Sequence, residues 1–366
     1  GLVETGCTDL DLTVQVPSWR PDLSIEEDLI EEVGRIRGYD LIQPRLPGKL
    51  HGGGTEGALY QTQRRIREVA LARGFTEVVT YSFISKDSIA ELNIPLEDSR
   101  SHPIMLSNPI SQQMICMRTI MLPGLLNSLR NSLKSGWREE IKIFEMGRVF
   151  ILKDIKKPDS LEEPEKIAGL VFPGQDRSIP YRQALEEDFF SVKGDIAALI
   201  RCRGFEPVFG KWEEPYGHSG QTSSVLINNE TRGVLMRLKP SIEAKLEVEG
   251  PIFYFEIDLA PLFEDRKPLY RDISSYPAVY RDISLLVKKG IEAETVRKII
   301  SDLAGTLLWK VRLFDIYEGK GVPEDQRSLA FSLAYRRDDR TLNDAEVDLI
   351  HEQVRSGLVK SGFELR

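Results

Sequence analysis

The chain has 366 residues, 49 basic and 57 acidic, for a formal charge of −8, a length that suits two or three domains, each with its own core. At 41% hydrophobic and 29% charged residues it is neither collagen-like, nor wholly disordered, nor a disulfide-stapled mini-protein. No apolar run reaches the ~20 residues that cross a bilayer, the N-terminal residues show no signal-peptide pattern, and the three cysteines lie far apart, as expected of thiols in a reducing compartment. The chain opens at Gly1, in mid-pattern and without methionine, so a fragment is expected. Charge is uneven: residues 1–50 hold 5 basic and 10 acidic residues, whereas Tyr270–Arg366 hold 16 of each. The N-terminal end is thus suited to a cation or a basic partner, and the C-terminal part has room for a local basic face.

The first predicted element is a helix. Ser24-Ile25-Glu26-Glu27 has the form of a capping box, which starts a helix at Ile25. Ile25, Leu29, Val33 and Ile36 make its apolar stripe, while Asp28, Glu31 and Glu32 share another face with Asp22 just before it. Like charges at i, i+4 repel. The cluster therefore reads either as a solvated first turn favoured by the helix dipole or as oxygen ligands for a hard divalent ion. Pro44-Arg45-Leu46-Pro47 through His51-Gly52-Gly53-Gly54 lacks hydrophobic period and reads as a linker.

Beyond it, Ala58–Arg73 has helical spacing up to Gly74, and Thr76–Phe83 is strand-like. Leu122, Leu125, Leu126, Leu129 and Leu133 mark a second helix face, and Ile141–Glu145 a further strand. An α+β domain with a mostly antiparallel sheet is expected here. A second break falls at Asp265-Arg266-Lys267-Pro268 and Tyr276-Pro277. After it, Ile283, Leu285 and Val287 alternate as a strand, and Val296, Ile299, Ile300 and Leu303 follow as a helix ended by Gly305. Leu307, Trp309, Val311 and Leu313 alternate with Lys310 and Arg312, and Leu329, Phe331, Leu333 and Tyr335 alternate again. Asn343 with Glu346 caps a helix bearing Val347, Ile350, Val354 and Leu358, which Gly362 stops before a short strand at Phe363. The order βαββαβ is ferredoxin-like.

Other motifs carry less. Gly52–Gly57 satisfies G-x-G-x-x-G, but no strand precedes it, so a flexible linker is the better reading. His51, His102, His218 and His351 are scattered, and His351 reads as a boundary residue of an amphipathic helix. Arg336, Arg337 and Arg340 form a basic cluster that suits phosphates, with Asp338 and Asp339 among them, which equally suits a solvated mixed-charge loop.

Long stretches resemble the β subunit of bacterial phenylalanine–tRNA ligases: Val16–Tyr39 (VPSWRPDLSIEEDLIEEVGRIRGY), Leu106–Ile110, Met117–Leu126, Lys142–Phe150, Tyr276–Ser284 and Asp339–Val347. The resemblance spans the chain but only the C-terminal half or so of the family, whose N-terminal tRNA-binding and editing domains have no counterpart in it. It implies an α+β, multidomain protein. Residues 1–47 would be the end of a winged-helix-like domain with the acidic metal helix, and 55–265 a class II synthetase-like, catalytically inactive domain. Residues 275–366 would be a ferredoxin-fold anticodon-binding domain. Family members hold Mg²⁺ at the α–β boundary through an Asp, an Asp six residues on, and Glu at nine and ten; Asp22, Asp28, Glu31 and Glu32 match that spacing.

Arg118 and Glu145 lie in stretches similar to the class II fold, but no motif 3 follows in the middle region, and Gly319-Lys320-Gly321 reads as a turn. The resemblance thus implies no catalytic residue here, with ATP a substrate of the whole enzyme and adenylate formation on the α subunit of a cytoplasmic α₂β₂ heterotetramer, away from any membrane. It also implies tRNA(Phe) binding by the C-terminal domain, for which Arg336, Arg337, Arg340 and Arg281 are the candidates. Leu238-Lys239-Pro240 departs from the His many relatives carry before this proline, where no chemistry is assigned. The alternatives are an independent RNA-binding or regulatory protein of the same domains, and a self-sufficient synthetase. The missing motif 3 and the acidic helix speak against the latter.

Overall fold

The computed structural model describes residues 1–45, 57–154, 157–174, 187–246, 250–264, 266, 270 and 272–366. The glycines of the first expected linker, and Asp265, Lys267 and Pro268 of the second break, lie outside the described residues. The chain forms two compact units, Gly1–Arg266 and Lys267–Arg366. No described helix is long and apolar enough to cross a membrane.

The first unit begins with an antiparallel hairpin of β1 (Val3–Cys7) and β2 (Leu12–Gln15), followed by helix α1 (Glu26–Arg37). The helix starts one residue later than the expected capping box places it. Asp28 reaches back to accept from the Ser24 and Ile25 amides at 2.7 and 2.9 Å, so the cap is a carboxylate in the first turn, and neither Ser24 nor Glu27 plays the assigned part. Gly38, at φ +95°, ends the helix in a conformation that L side chains rarely adopt. The apolar stripe remains in solvent: Ile25, Val33 and Ile36 are 57%, 61% and 78% exposed.

The rest of the unit is built on a seven-stranded sheet. In sequence its strands are β3 (Thr76–Glu77), β4 (Ile141–Arg148), β5 (Glu165–Phe172), β6 (Val208–Lys211), β7 (Gly217–Ile227), β8 (Glu230–Leu238) and β9 (Phe253–Asp258). In space the order is β6-β7-β8-β9-β5-β4-β3, antiparallel except for the edge pair β3–β4. The expected strand Thr76–Phe83 is interrupted, with pairing only at Thr76–Glu77 and Phe83–Ile84. Between them Thr80 turns its hydroxyl to Glu145 instead of continuing the ladder.

Helices cover both faces, so the central strands β5 and β9 are buried on both sides. Ile66 and Ala70 of α2 (Ala58–Ala72) and Val192, Ile196 and Ile200 of α4 (Phe189–Arg201) pack with Phe253, Phe255 and Ile257. The opposite face receives Leu122, Leu125, Leu126 and Leu129 of α3 (Leu122–Lys134) against Ile143, Leu170 and Tyr254. Gly169 permits this packing, because a Cβ there would lie 2.3 Å from the Phe255 ring.

The second unit runs β10 (Val279–Lys288), α5 (Ala293–Ala304), β11 (Leu308–Tyr317), β12 (Gln326–Tyr335), α6 (Asp344–Lys360) and β13 (Glu364–Leu365). This is the βαββαβ order, with sheet order β11-β12-β10-β13 and every pair antiparallel. Val296 and Ile300, with Val347, Val354 and Leu358, bury one face against Ile283, Leu285, Phe331 and Leu333. Asn343 and Glu346 cap α6 reciprocally, and Gly305 and Gly362 take positive φ at the two helix ends. His351 is half-buried, its Nδ1 3.2 Å from the Tyr335 hydroxyl.

Substituting Gly169→Ala forces the Phe255 ring out of its rotamer or the strands apart. We expect it to destabilise the first unit by about 1–3 kcal/mol, seen as a lower urea midpoint at unchanged slope.

Candidate nucleic-acid interface and acidic helix

With both helices on one side, the second unit leaves the other face of its sheet open. Residues directly paired across an antiparallel ladder share a face, so the register shows what this one carries. Ala334 of the central strand lies between Tyr280 and Lys310, and Ser332 between Asp282 and Arg312. Farther along, Ser328 lies between Leu286 and Tyr317. The floor is therefore small side chains, with aromatic and basic ones on the flanking strands. Among the described residues, Lys310 and Arg312 have no ion-pair partner.

Trp309 departs from the expected alternation, which turns it inward with Leu307 and Val311. The register shifts between Leu308 and Lys310, and this bulge leaves Trp309 half exposed. The Arg336 guanidinium stacks over its ring at 4.4 Å. At the far end Arg366 lies 5.1 Å from the Tyr317 ring centroid. Neither pairing is visible in the sequence, because one depends on a bulge and the other on the last residue returning beside β10.

The four candidate arginines do not form one cluster. Arg336 is on Trp309 with Asp338 at 3.3 Å, and Arg337 faces Asp339 at 3.6 Å. Arg340 makes a two-pronged contact with Glu346, and Arg281 bridges Asp344 and Asp348, at 2.9 Å each. These last two arginines clamp the start of α6. Arg340, aided by the Asn343 amide, pulls the Glu346 carboxyl down to about 2.

On α1 the acidic residues have partners the spacing does not reveal. Arg20 donates from Nε to both oxygens of Asp22 at 3.0 and 3.1 Å, and from Nη2 to Asp22 at 2.6 Å and Glu32 at 2.9 Å. Arg35 adds a contact to Glu32 at 2.7 Å. The two arginines, Arg20 foremost, hold Glu32 down at about 2, and Arg20 likewise lowers Asp22. Asp28 is lowered by the Ser24 and Ile25 amides. Of the four residues at the metal spacing, Glu31 alone has a carboxylate with no partner among the described residues. Carboxylate oxygens suit a hard divalent ion. As placed, however, these do not fit one: among the described residues no group of three or more metal-ligating side chains comes together.

In the middle of the first unit the charged groups are closed on each other. Buried Arg118 donates from Nη1 to Glu145 at 2.8 Å and from Nε to the Arg148 carbonyl at 2.8 Å, while Thr80 donates to the other Glu145 oxygen. Gly147 lets that guanidinium cross the strand, since a Cβ would meet it at 2.3 Å. Glu256 is buried. Burial opposes its charge, but Lys166 at 2.9 Å, the Tyr254 hydroxyl and the Met121 amide outweigh that and lower its pKa. Arg100 joins Asp98 to Glu214. A cavity of about 50 Å³, lined by Leu92, Leu126, Arg130 and Ile242, lies apart from these groups and has room for a few waters.

Three family models match the chain: "Phenylalanyl tRNA synthetase beta chain CLM domain" over residues 42–259, "Ferredoxin-fold anticodon binding domain" over 274–366, and "tRNA synthetase B5 domain" over 3–39. The phenylalanine–tRNA ligase beta subunit of Symbiobacterium thermophilum is 33% identical over 100% of this chain and 41% of its own length. Those of Pseudomonas fluorescens and Moorella thermoacetica are 32% and 34% identical, each over 94% of this chain and 43% of theirs. The chain thus spans about two fifths of the length of these relatives.

Two outcomes test the paired charges. Glu145→Ala leaves Arg118 buried without a counter-charge and costs about 3–5 kcal/mol of stability, read by urea unfolding. Glu346→Gln lowers the thermal midpoint of the second unit at neutral pH. Because the folded pKa of Glu346 is depressed from 4.5 to about 2, its contribution is present above the unfolded value and lost as pH falls to the folded one. The gap between variant and parent therefore closes between about pH 4.5 and 2.

Proposed function

The chain belongs to the phenylalanyl-tRNA synthetase β-chain family, and from that premise we propose that it is the tRNA-binding, non-catalytic part of a β subunit, supporting the ATP-dependent attachment of phenylalanine to its tRNA by an α subunit. The open sheet face of the second unit carries this reading. Unpaired RNA bases stack on aromatic rings and guanidinium planes, and lysines and arginines meet the backbone phosphates. Trp309 under Arg336 offers the stacking platform, Tyr280 a second ring, and Lys310 and Arg312 the phosphate contacts. Between these groups Ser332 is half-buried and Ala334 buried. Of the four arginines picked from sequence, Arg336 and Arg337 stay in the proposed contact set. Arg281 and Arg340 are assigned to holding α6.

The same reading puts no chemistry on this chain. Adenylate formation requires cations free to meet the ATP phosphates. In the first unit, buried Arg118 and Lys142 and half-buried Arg100 and Lys166 are instead fastened to Glu145, to Glu187 and Asp195, to Glu214, and to Glu256. We take the seven-stranded sheet as a class II-like scaffold without an active site, and the N-terminal hairpin and helix as the end of a winged-helix-like domain. An α₂β₂ assembly in the cytoplasm completes the proposal. The magnesium ion expected on Asp22, Asp28, Glu31 and Glu32 enters no step of it, because the side chains as placed do not fit a metal.

Phenylalanine-dependent pyrophosphate exchange checks the division of labour. We expect none from this chain alone and activity when a bacterial α subunit is added; activity of the chain alone would sink the proposal. The RNA face is tested by Trp309→Ala, which should weaken tRNA binding by about 1–3 kcal/mol for the lost stack in a filter or polarisation assay. Arg281→Gln should leave that binding unchanged.

A further inference from the structure

Helix α1 carries an apolar face that the described residues leave in solvent. Ile25, Val33 and Ile36 are each more than half exposed beside half-buried Leu29, and a continuous stripe on one 12-residue helix marks a contact surface rather than scattered surface hydrophobics. At 100° per residue, Glu26 and Arg37 fall about 60° and 80° to one side of Leu29, on the same edge of that stripe. One lies in the first turn and the other in the last. Among the described residues neither side chain has an ion-pair or hydrogen-bond partner. The opposite edge differs: Glu32, about 60° to the other side of Leu29, already has its charge met by Arg20 and Arg35. The stripe is therefore bordered on one side by a neutralised carboxylate, and on the other by an acid and a base at opposite ends, both unpaired.

We propose that this face binds a second copy of the chain, with the two α1 helices packed antiparallel about a two-fold axis. In such a pair each edge of the stripe meets the same edge of the other copy, reversed. Glu26 of one copy then faces Arg37 of the other, and the contact occurs twice. The midpoint of these two residues falls between Leu29 and Val33, so the register that pairs the charges also centres the apolar stripes on each other. Ile25 and Ile36 close the two ends. On the other edge the Glu32 side chains approach each other near the axis, where Arg20 and Arg35 offset their repulsion. A parallel pair has none of these merits: it keeps Glu26 and Arg37 about 16 Å apart along the helices and aligns the two helix dipoles. Charge complementarity thus selects both the occupant and its direction.

The test is sedimentation equilibrium of the whole chain at low salt, where exposed ion pairs are least screened. The parent should show a reversible monomer–dimer equilibrium. Val33→Glu, which sets a carboxylate at the centre of the contact on a position the fold leaves exposed, should be monomeric. Glu26→Arg or Arg37→Glu alone turns both symmetric contacts into like-charge ones and should weaken the dimer by about tenfold. Combining the two restores opposite charges and should recover the parent's affinity, a rescue that general stickiness of the stripe does not produce. A parent that stays monomeric at its highest soluble concentration would overturn the proposal. So would a Val33→Glu dimer as tight as the parent's, or a double variant no better than the single ones. Adding a bacterial α subunit identifies a rival occupant: a monomeric parent that binds α, with Val33→Glu abolishing that binding, would give the face to α instead. The dimer readout needs neither tRNA nor catalysis, so this inference stands or falls apart from the proposed function.

Discussion

An arginine in a protein keeps its proton, so wherever the chain brings one inside, acceptors have to be brought to it. That constraint shapes this molecule more than any single hydrophobic contact. On the α3 side of the seven-stranded sheet, Arg118 is joined to Glu145 and Lys166 to Glu256, tying β4, β5 and β9 to the loops that approach them. On the other side Lys142 is held between Glu187 and Asp195 and lies 4.8 Å from the Phe75 ring. Replacing such pairs by apolar residues can be neutral or stabilising, whereas removing one partner is costly. Their presence therefore speaks for a defined geometry rather than for extra stability. They also decide what is left for function, because a cation closed on its own glutamate is not offered to a phosphate.

The same rule gives the second unit its two sides. Arg281 and Arg340 meet Asp344, Asp348 and Glu346 at the start of α6, where carboxylates also suit the helix dipole. Those contacts lie toward the helices. The face without helices keeps its central strand small, with Ser328, Ser332 and Ala334 paired outward while Leu329, Phe331 and Leu333 fill the core. One strand thus serves two purposes through its period of two. The β11 bulge adds the third feature by turning Trp309 out under Arg336.

What the sequence made legible follows from how local each feature is. Alternation placed Ile283, Leu285, Val287 and Leu329–Tyr335, the Asn343–Glu346 cap sits where its spacing says, and Leu122–Leu129 is buried along one helix face. These are short-range patterns that burial enforces directly. The misses need contacts that spacing does not encode. A single extra residue in β11 reversed Trp309, and the Ser24 box yielded to Asp28 because a carboxylate one position later competes for the same amides. The four acidic residues did stand where their spacing put them, before and along α1. Arg20, the partner of Asp22 and Glu32, lies two residues before the first but twelve before the second, so no helical period points to it.

Net charge misleads for a related reason. Tyr270–Arg366 is neutral overall, which by itself argues for no affinity for RNA. Neutrality summed over a domain, however, differs from neutrality on a face. The acids of α6 cancel Arg281 and Arg340 toward the helices, within the range where pairing is strong. Toward the open side the register brings Lys288, Lys310 and Arg312, with Arg336 and Arg366 on the exposed rings, against Asp282, Asp315, Glu364 and the Asp338 beside Arg336. The excess is positive, and at physiological salt a charge acts over about 8 Å, less than the thickness of a sheet with its helices. A ligand lying on the open side therefore experiences the basic and aromatic groups there, largely screened from the acids of α6. Sidedness, rather than total charge, is what fits this small unit to a polyanion.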